Sequence, residues 1–301
     1  MNIQRLLSFA FSVALISSAS ATVTMDWVTV GNPGNAADSL TGYGAVDHTY
    51  QIGKYEVTNA QYGEFLNAKG SSNTNGIYNS DMASAGITQS GSSGSYTYSV
   101  TGALANRPVV QVSWFDAARF ANWMMNGQGN GDMETGAYTL NGATSGIINA
   151  NVGASVYLPS ENEWYKAAYY NATTTSYSLY PNGQNTISPE DANYNNLATG
   201  STVDVGSYAN DPSFYGTFDQ GGNVWEWDDG VAPGSSHVLR GGSWGSNGLN
   251  SSIRSSAPAS FEGGADGSTI GFRLASASVP EPTSILLTMF AGAVMLIRRK
   301  R

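Results

Sequence analysis

Thirty-six glycines in 301 residues, set among Ser, Asn and Thr, limit this chain to short elements joined by many turns. Glycine weakens helix and strand interiors and supplies the backbone angles that tight turns need. Disorder is excluded by the other extreme of the composition. Seven Trp and seventeen Tyr are far more aromatic surface than a disordered chain carries. The expected object is a compact, loop-rich domain with an aromatic core. No charge run or Pro-rich linker divides the middle of the chain, so one large domain is expected over residues 22–275.

The two ends differ from the middle. Residues 1–21 carry Arg5, an apolar run from Leu6 to Ile16 and the small-x-small end Ala19-Ser20-Ala21, the pattern of a secretory signal peptide. At the other end, residues 276–301 begin with a short small-residue spacer up to Ser278. Val279-Pro280-Glu281-Pro282 follows, then an apolar run from Ile285 to Ile297, then Arg298, Arg299, Lys300 and Arg301. Residues 283–297 would rise about 22 Å as a helix, short of the ~30 Å hydrocarbon core. The basic cluster belongs on the cytoplasmic side. These three parts resemble the PEP-CTERM sorting signal. The resemblance implies an exosortase-type processing protease as a partner, transient membrane anchoring through the C-terminal helix, and a final place on the cell surface or in the extracellular matrix.

Without its ends the chain is strongly acidic. Residues 22–279 carry 21 acidic and 8 basic side chains, a net charge of −13. Such a body repels nucleic acid and anionic lipid and attracts cations. It contains no cysteine, which excludes disulfides, a Cys nucleophile and every thiolate metal site.

Three helix starts are legible. Thr58 with Gln61, and Ser160 with Glu163, form capping boxes. Ser113-Trp114-Phe115-Asp116 opens a third helix, in which Trp114, Ala117, Ala118 and Ala121 keep helical spacing, and Gly127 is expected to stop it. Strands are expected over 50–57 and 109–112, at Val238–Leu239 and at Phe272–Leu274, with turns dominating after Asn171. The Ser-, Gly- and Asn-rich stretch 71–99 reads as a surface insertion. His48 and His237 read as surface or loop residues, Asp228-Asp229 as a solvated pair, and Arg240 and Arg273 as partners in internal ion pairs. No Gly-x-Ser-x-Gly elbow supports a serine hydrolase.

Six motifs follow one another in a fixed order: Ile52 to Asn59 (IGKYEVTN), Pro108 to Ala117 (PVVQVSWFDA), Leu158 to Trp164 (LPSENEW), Gly221 to Trp227 (GGNVWEW), Arg240 to Trp244 (RGGSW) and Gly271 to Arg273 (GFR). Together they resemble the formylglycine-generating enzyme, or sulfatase-modifying factor, domain family. The resemblance implies that family's irregular, loop-rich α+β fold, related to C-type lectins, with few short helices and strands. In active members two cysteines just beyond the Gly-Gly-Ser-aromatic motif bind copper(I), a soft ion that wants thiolates. Those positions are Ser246 and Ser251 here, so copper and copper-dependent oxidation of a substrate cysteine are not expected. The resemblance also implies a calcium site made by Asp219, the carbonyls of Gly222 and Val224, and Glu226, with Asn193 and Tyr194 matching part of a second site. Calcium takes six to eight hard oxygens.

The function expected on these grounds is that of an exported, non-catalytic binding module for a glycan or peptide. Its groove candidates are Ser243, Trp244, Asn247 and Asn250, an indole beside hydroxyl and amide groups. Extracellular polysaccharide is the partner that the PEP-CTERM resemblance suggests. The alternative is an enzyme of the same family acting by cysteine-independent chemistry.

Overall fold

The computed structural model describes residues 22–195, 200–234, 236–246 and 252–277. The expected signal peptide and the Pro-Glu-Pro segment with its apolar run and basic tail lie outside the described residues, as do Asn247, Asn250 and Ser251. In chain order the elements are β1 (Trp27–Val30), β2 (Tyr50–Gly53), α1 (Asn59–Lys69), α2 (Met82–Ala85), β3 (Ile87–Ser90), β4 (Thr97–Val100) and α3 (Trp114–Met125). They continue with β5 (Val156–Tyr157), α4 (Glu161–Tyr169), β6 (Tyr170–Asn171), β7 (Ser176–Tyr177), β8 (Trp225–Ala232), β9 (Ser236–Arg240), β10 (Ala259–Glu262), β11 (Ile270–Phe272) and β12 (Ala275–Ala277).

All three expected helices begin where their caps place them. Thr58, Ser113 and Ser160 each sit in extended backbone, accept the amide of the third helical residue, and receive that residue's side chain on their own amide. α3 ends at Met125 with Asn126 as its cap, and Gly127 follows in left-handed backbone. The apolar stripe of α3 meets α1 in an aromatic cluster. Phe65 and Phe120 pack edge to face at 5.5 Å, and Phe120 meets Phe272 edge-on at the same distance.

Two sheets frame the helices. One has the order β1-β2-β12-β5 and is antiparallel throughout; the other has the order β10-β9-β8-β11, with β11 running parallel to β8. Short hairpins β3/β4 and β6/β7 complete the set.

Several expectations are corrected. Residues 71–99 are no surface loop. They hold α2 and the β3/β4 hairpin, and Ile77, Tyr78, Met82, Ile87 and Tyr98 enter the main core. Asn67 on α1 bonds both the amide and the carbonyl of Tyr98, which draws the hairpin onto the helix. Residues 109–112 form no strand, because Gln111 turns the backbone to φ +61° between buried Val110 and Val112. Turns do dominate after Asn171, as expected, but that stretch also carries the eight-residue strand β8. The spacer 275–277 is itself a strand, paired with β2 on one side and β5 on the other. Arg273 and Leu274 lie between β11 and β12, where the chain passes from one sheet to the other.

Candidate functional site

The glycine-rich turn before β8 organises the site. Asp219, Gly222 and Asn223 all adopt positive φ, at 61°, 93° and 57°. Gly222 has no alternative, since a Cβ there would collide with the Asn193 carbonyl. The turn is tied on both sides. The Asn223 amide donates to the Asn193 carbonyl at 2.8 Å, and the Trp244 amide donates to the Asn223 carbonyl at 2.9 Å. The segment that carries Asn193 and the Gly-Gly-Ser-Trp turn therefore meet across residues 222–223.

Beneath this turn lie three carboxylates and one guanidinium. Arg273 makes a bidentate pair with Glu226, Nε to Oε2 at 2.5 Å and Nη2 to Oε1 at 2.7 Å, with both side chains fully buried. Arg273 also donates to the carbonyls of Gly53 and Phe218, and the Trp164 indole donates to Glu226 Oε2. The ion-pair expectation for Arg273 thus holds. It holds for Arg240 too, which pairs with Glu161 and stacks on Tyr43 and Tyr165. Arg273 balances Glu226 alone. Asp219 accepts the Gly206 amide at 2.6 Å, and burial pushes its carboxyl up to about 6. Burial, with Asp219 and Glu226 nearby, also drives Glu56 well above the usual carboxylate range. Glu56 bonds Asn223 through Oε1, while its Oε2 is buried without a partner.

The residues implied for calcium are therefore brought together, and they fit a hard cation in part. Asp219 and Glu56 bring two carboxyl groups beyond the ion pair, the oxygens are hard, and Glu226 keeps one of its four lone-pair positions. Among the described residues no group of three or more His, Asp or Glu side chains is arranged as a metal site on its own, so backbone carbonyls would have to supply much of the shell. The second set, Asn193 and Tyr194, lies on the segment tied to the turn. The Asn193 amide donates to the Ser201 carbonyl and to Asn223 Oδ1, and the Tyr194 hydroxyl donates to the Ile187 carbonyl.

The Gly-Gly-Ser-Trp turn lies beside this cluster, held there by the bond from the Trp244 amide to the Asn223 carbonyl. Ser246, at the first family copper position, turns its Oγ inward to accept the Ser243 amide at 2.9 Å. Ser243 is buried and Trp244 half-buried. Trp244 forms one wall of a pocket of ≈ 140 Å³ shared with Leu104, Arg107, Gln111, Thr202 and Ser268. Arg107 Nη1 donates to Ser201 Oγ at 3.0 Å, and its Nε is buried without a partner. Arg107 and Gln111 were not legible as groove residues. The strained left-handed backbone of Gln111 is invisible in sequence, and Arg107 reads only as a loop cation.

Two bland readings are corrected here. His237 is buried, stacked on Trp114 with ring centroids 3.9 Å apart, and burial lowers its imidazole to about 4. Asp228 is fully buried rather than solvated, bonded to the Gly230 amide. His48 is exposed as expected, but it bridges two carboxylates, Asp47 Oδ1 at 2.9 Å and Glu163 Oε1 at 3.0 Å.

Comparisons with known proteins agree with this geometry. The sulfatase-modifying factor enzyme 1-like domain matches residues 35–278. "Serine/threonine-protein kinase pkn1" of Chlamydia caviae is 28% identical over 247 residues, which cover 76% of this chain and 33% of that protein. "Hercynine oxygenase" of Mycobacterium tuberculosis is 28% identical over 226 residues, covering 65% of this chain and 45% of that protein. The chain thus spans less than half the length of these curated relatives. Among solved structures, Treponema denticola variable protein 1 superposes with a TM-score of 0.58 at 21% identity, covering 86% of this chain and 98% of that one. CarF superposes with a TM-score of 0.59 at 23% identity, covering 85% and 99%. At these identities the likeness establishes the fold, which is that of the formylglycine-generating enzymes and the related C-type-lectin-like domains. A family match over residues 35–278, most of the chain, places this protein in the sulfatase-modifying factor family.

Proposed function

We propose that this protein is an exported, non-catalytic binding module that holds a glycan or peptide in the groove beside Trp244. The observation that carries the reading is Ser246. A hydroxyl stands where active members place a copper thiolate, and it is spent on closing its own turn. A serine hydroxyl is far more basic than a thiol, so a soft monovalent ion does not displace its proton. The groove keeps what recognition needs: an indole face, four hydroxyl residues, an amide and one cation in a domain that is otherwise acidic. Arg107 favours ligands with an acidic group, such as a uronate or a peptide carboxylate. The paired end signals support export, membrane holding through residues 283–297, exosortase processing and release to the surface or matrix.

The test is an array of glycans and peptides probed with the purified full chain and with Trp244→Ala. The expected result is a ligand family bound by the wild type and lost in the variant. Equal binding by both, or conversion of a Cys-x-Pro-x-Arg peptide above a copper-only control, would overturn the reading.

Calcium is proposed as the structural ion under the groove, held by Asp219 and the carbonyls of Gly222 and Val224, with Glu226 offering its remaining lone pair. A ligand present at about 100 times its dissociation constant stabilises the native state by ~2.7 kcal/mol. Melting of the wild type should rise with calcium and fall with chelator, while Asp219→Asn should melt alike in both. A wild type indifferent to chelator and free of trapped metal would remove the ion from the scheme.

A further inference from the structure

On another face, between the start of α4 and the end of β12, lies a cavity of ≈ 520 Å³ whose lining includes His48, Tyr157, Ser160, Glu163 and Asp229. One wall is a closed network. Glu163 Oε2 accepts the amide and hydroxyl of Ser160, both at 2.8 Å, and Oε1 accepts the Tyr157 hydroxyl at 2.9 Å and His48 Nε2 at 3.0 Å. All four lone-pair positions of the carboxylate are filled. Both ring nitrogens of His48 face carboxylate oxygens, Asp47 on the other side. These groups shape the wall and leave nothing free to grip a ligand.

The floor is different. Asp229 is anchored by its backbone amide, which donates to the Pro159 carbonyl at 2.9 Å. Its carboxyl Oδ1 is buried with no hydrogen-bond partner. An orphaned carboxylate oxygen on a residue that lines an open cavity calls for a donor. The cavity decides which kind. No Lys or Arg is among its lining residues, and the wall around His48 carries two carboxylates to one imidazole. The Tyr157 ring offers a face beside them, which also suits a cation.

We propose that this cavity binds a small ligand through a primary ammonium group, paired with Asp229 at its floor and favoured by the negative wall around Glu163. Burial, with the charge of Glu163 nearby, pushes the Asp229 carboxyl up to about 7, so an arriving cation restores a charge that the site otherwise suppresses. Two sources share this chemistry, an amino sugar and an aliphatic amine or polyamine. This site is independent of the Trp244 groove and stands whether or not that groove binds glycans.

Isothermal titration calorimetry on the full chain in detergent, near neutral pH, tests it with glucosamine, propylamine and putrescine. N-acetylglucosamine and propanol serve as the uncharged counterparts. The expected result is that at least one amine binds while its uncharged counterpart gives no heat. Asp229→Asn should weaken that amine about tenfold or more, the worth of one charge-assisted hydrogen bond, and Trp244→Ala should bind it as the wild type does. Binding of glucosamine alone assigns an amino sugar, and binding of propylamine or putrescine assigns an aliphatic amine. Equal binding of N-acetylglucosamine and glucosamine overturns the proposal, as does silence of all three amines up to about 10 mM or an unchanged affinity in a folded Asp229→Asn protein. The comparison of charged and uncharged probes on the wild type stands even if the variant does not fold.

Discussion

At the scale of single residues, the site depends on one fully buried guanidinium. Arg273 satisfies three main-chain carbonyls, those of Gly53, Lys54 and Phe218, and both oxygens of Glu226. Removing one partner of a buried pair leaves the other charge uncompensated, which costs about 3–5 kcal/mol. Arg273→Met should therefore show a sharply lower urea midpoint, and a loss of less than about 1 kcal/mol would show that solvent already reaches the pair. The sequence announced this arginine through its Gly-Phe-Arg motif. It gave no hint that Glu56 joins the same cluster, because 167 residues separate Glu56 from Asn223, its bonded partner. Asp228 and His237 were misread for a related reason. Polar residues default to the surface in sequence reasoning, and only the packing of Trp114 against His237 and of Gly230 against Asp228 explains their burial.

At the scale of elements, the helix starts were the most legible features, since a capping box is written in four consecutive residues. The second of them invites measurement. Ser113 Oγ accepts the Asp116 amide at 3.2 Å and donates to Asp116 Oδ2 at 2.6 Å. Loss of such a cap costs ~1 kcal/mol, so Ser113→Ala should lower the urea midpoint while leaving the denaturant slope unchanged. A changed slope would mean that the substitution had altered more than the cap. Strands were legible only where long-range pairing did not decide them. β12 read as a spacer because three small residues show no alternation; its identity comes entirely from β2 and β5. The hairpin within 71–99 hid behind its serines and glycines, and the buried face of Ile87 and Tyr98 emerges only when α1 is in place.

At the scale of the whole molecule, buried acids set the pH response. Burial raises Asp116 to about 6 and Asp229 to about 7, above the ordinary 3.8. Hydrogen bonds to Asp47 and Glu163 outweigh desolvation and raise His48 above 6.5. All three groups hold protons in the folded state that the unfolded chain has released. The contribution of the two carboxyls is present at low pH and is lost as pH rises from about 4 through about 7, and that of His48 is lost only as pH rises above 6.5. His237 acts oppositely. Its folded value near 4 means that its share is lost as pH falls from 6.5 toward 4. The raised groups outnumber it, so melting in chelator should occur several degrees higher near pH 5 than near pH 8, at roughly 2–4 °C per kcal/mol for a domain of this size. A higher midpoint at the alkaline end would mean that these carboxyls are hydrated in solution.

The position of β12 has a mechanical consequence. The last described strand is not at an edge of its sheet; it is inserted between β2 and β5. Ser276 Oγ and the Ala277 amide both hold the Ser155 carbonyl. Tension applied to the chain beyond Ala277 therefore cannot peel a margin away. It must shear two ladders at once and open the sheet through its middle, so the domain resists being pulled by its tail at the point where the tail begins.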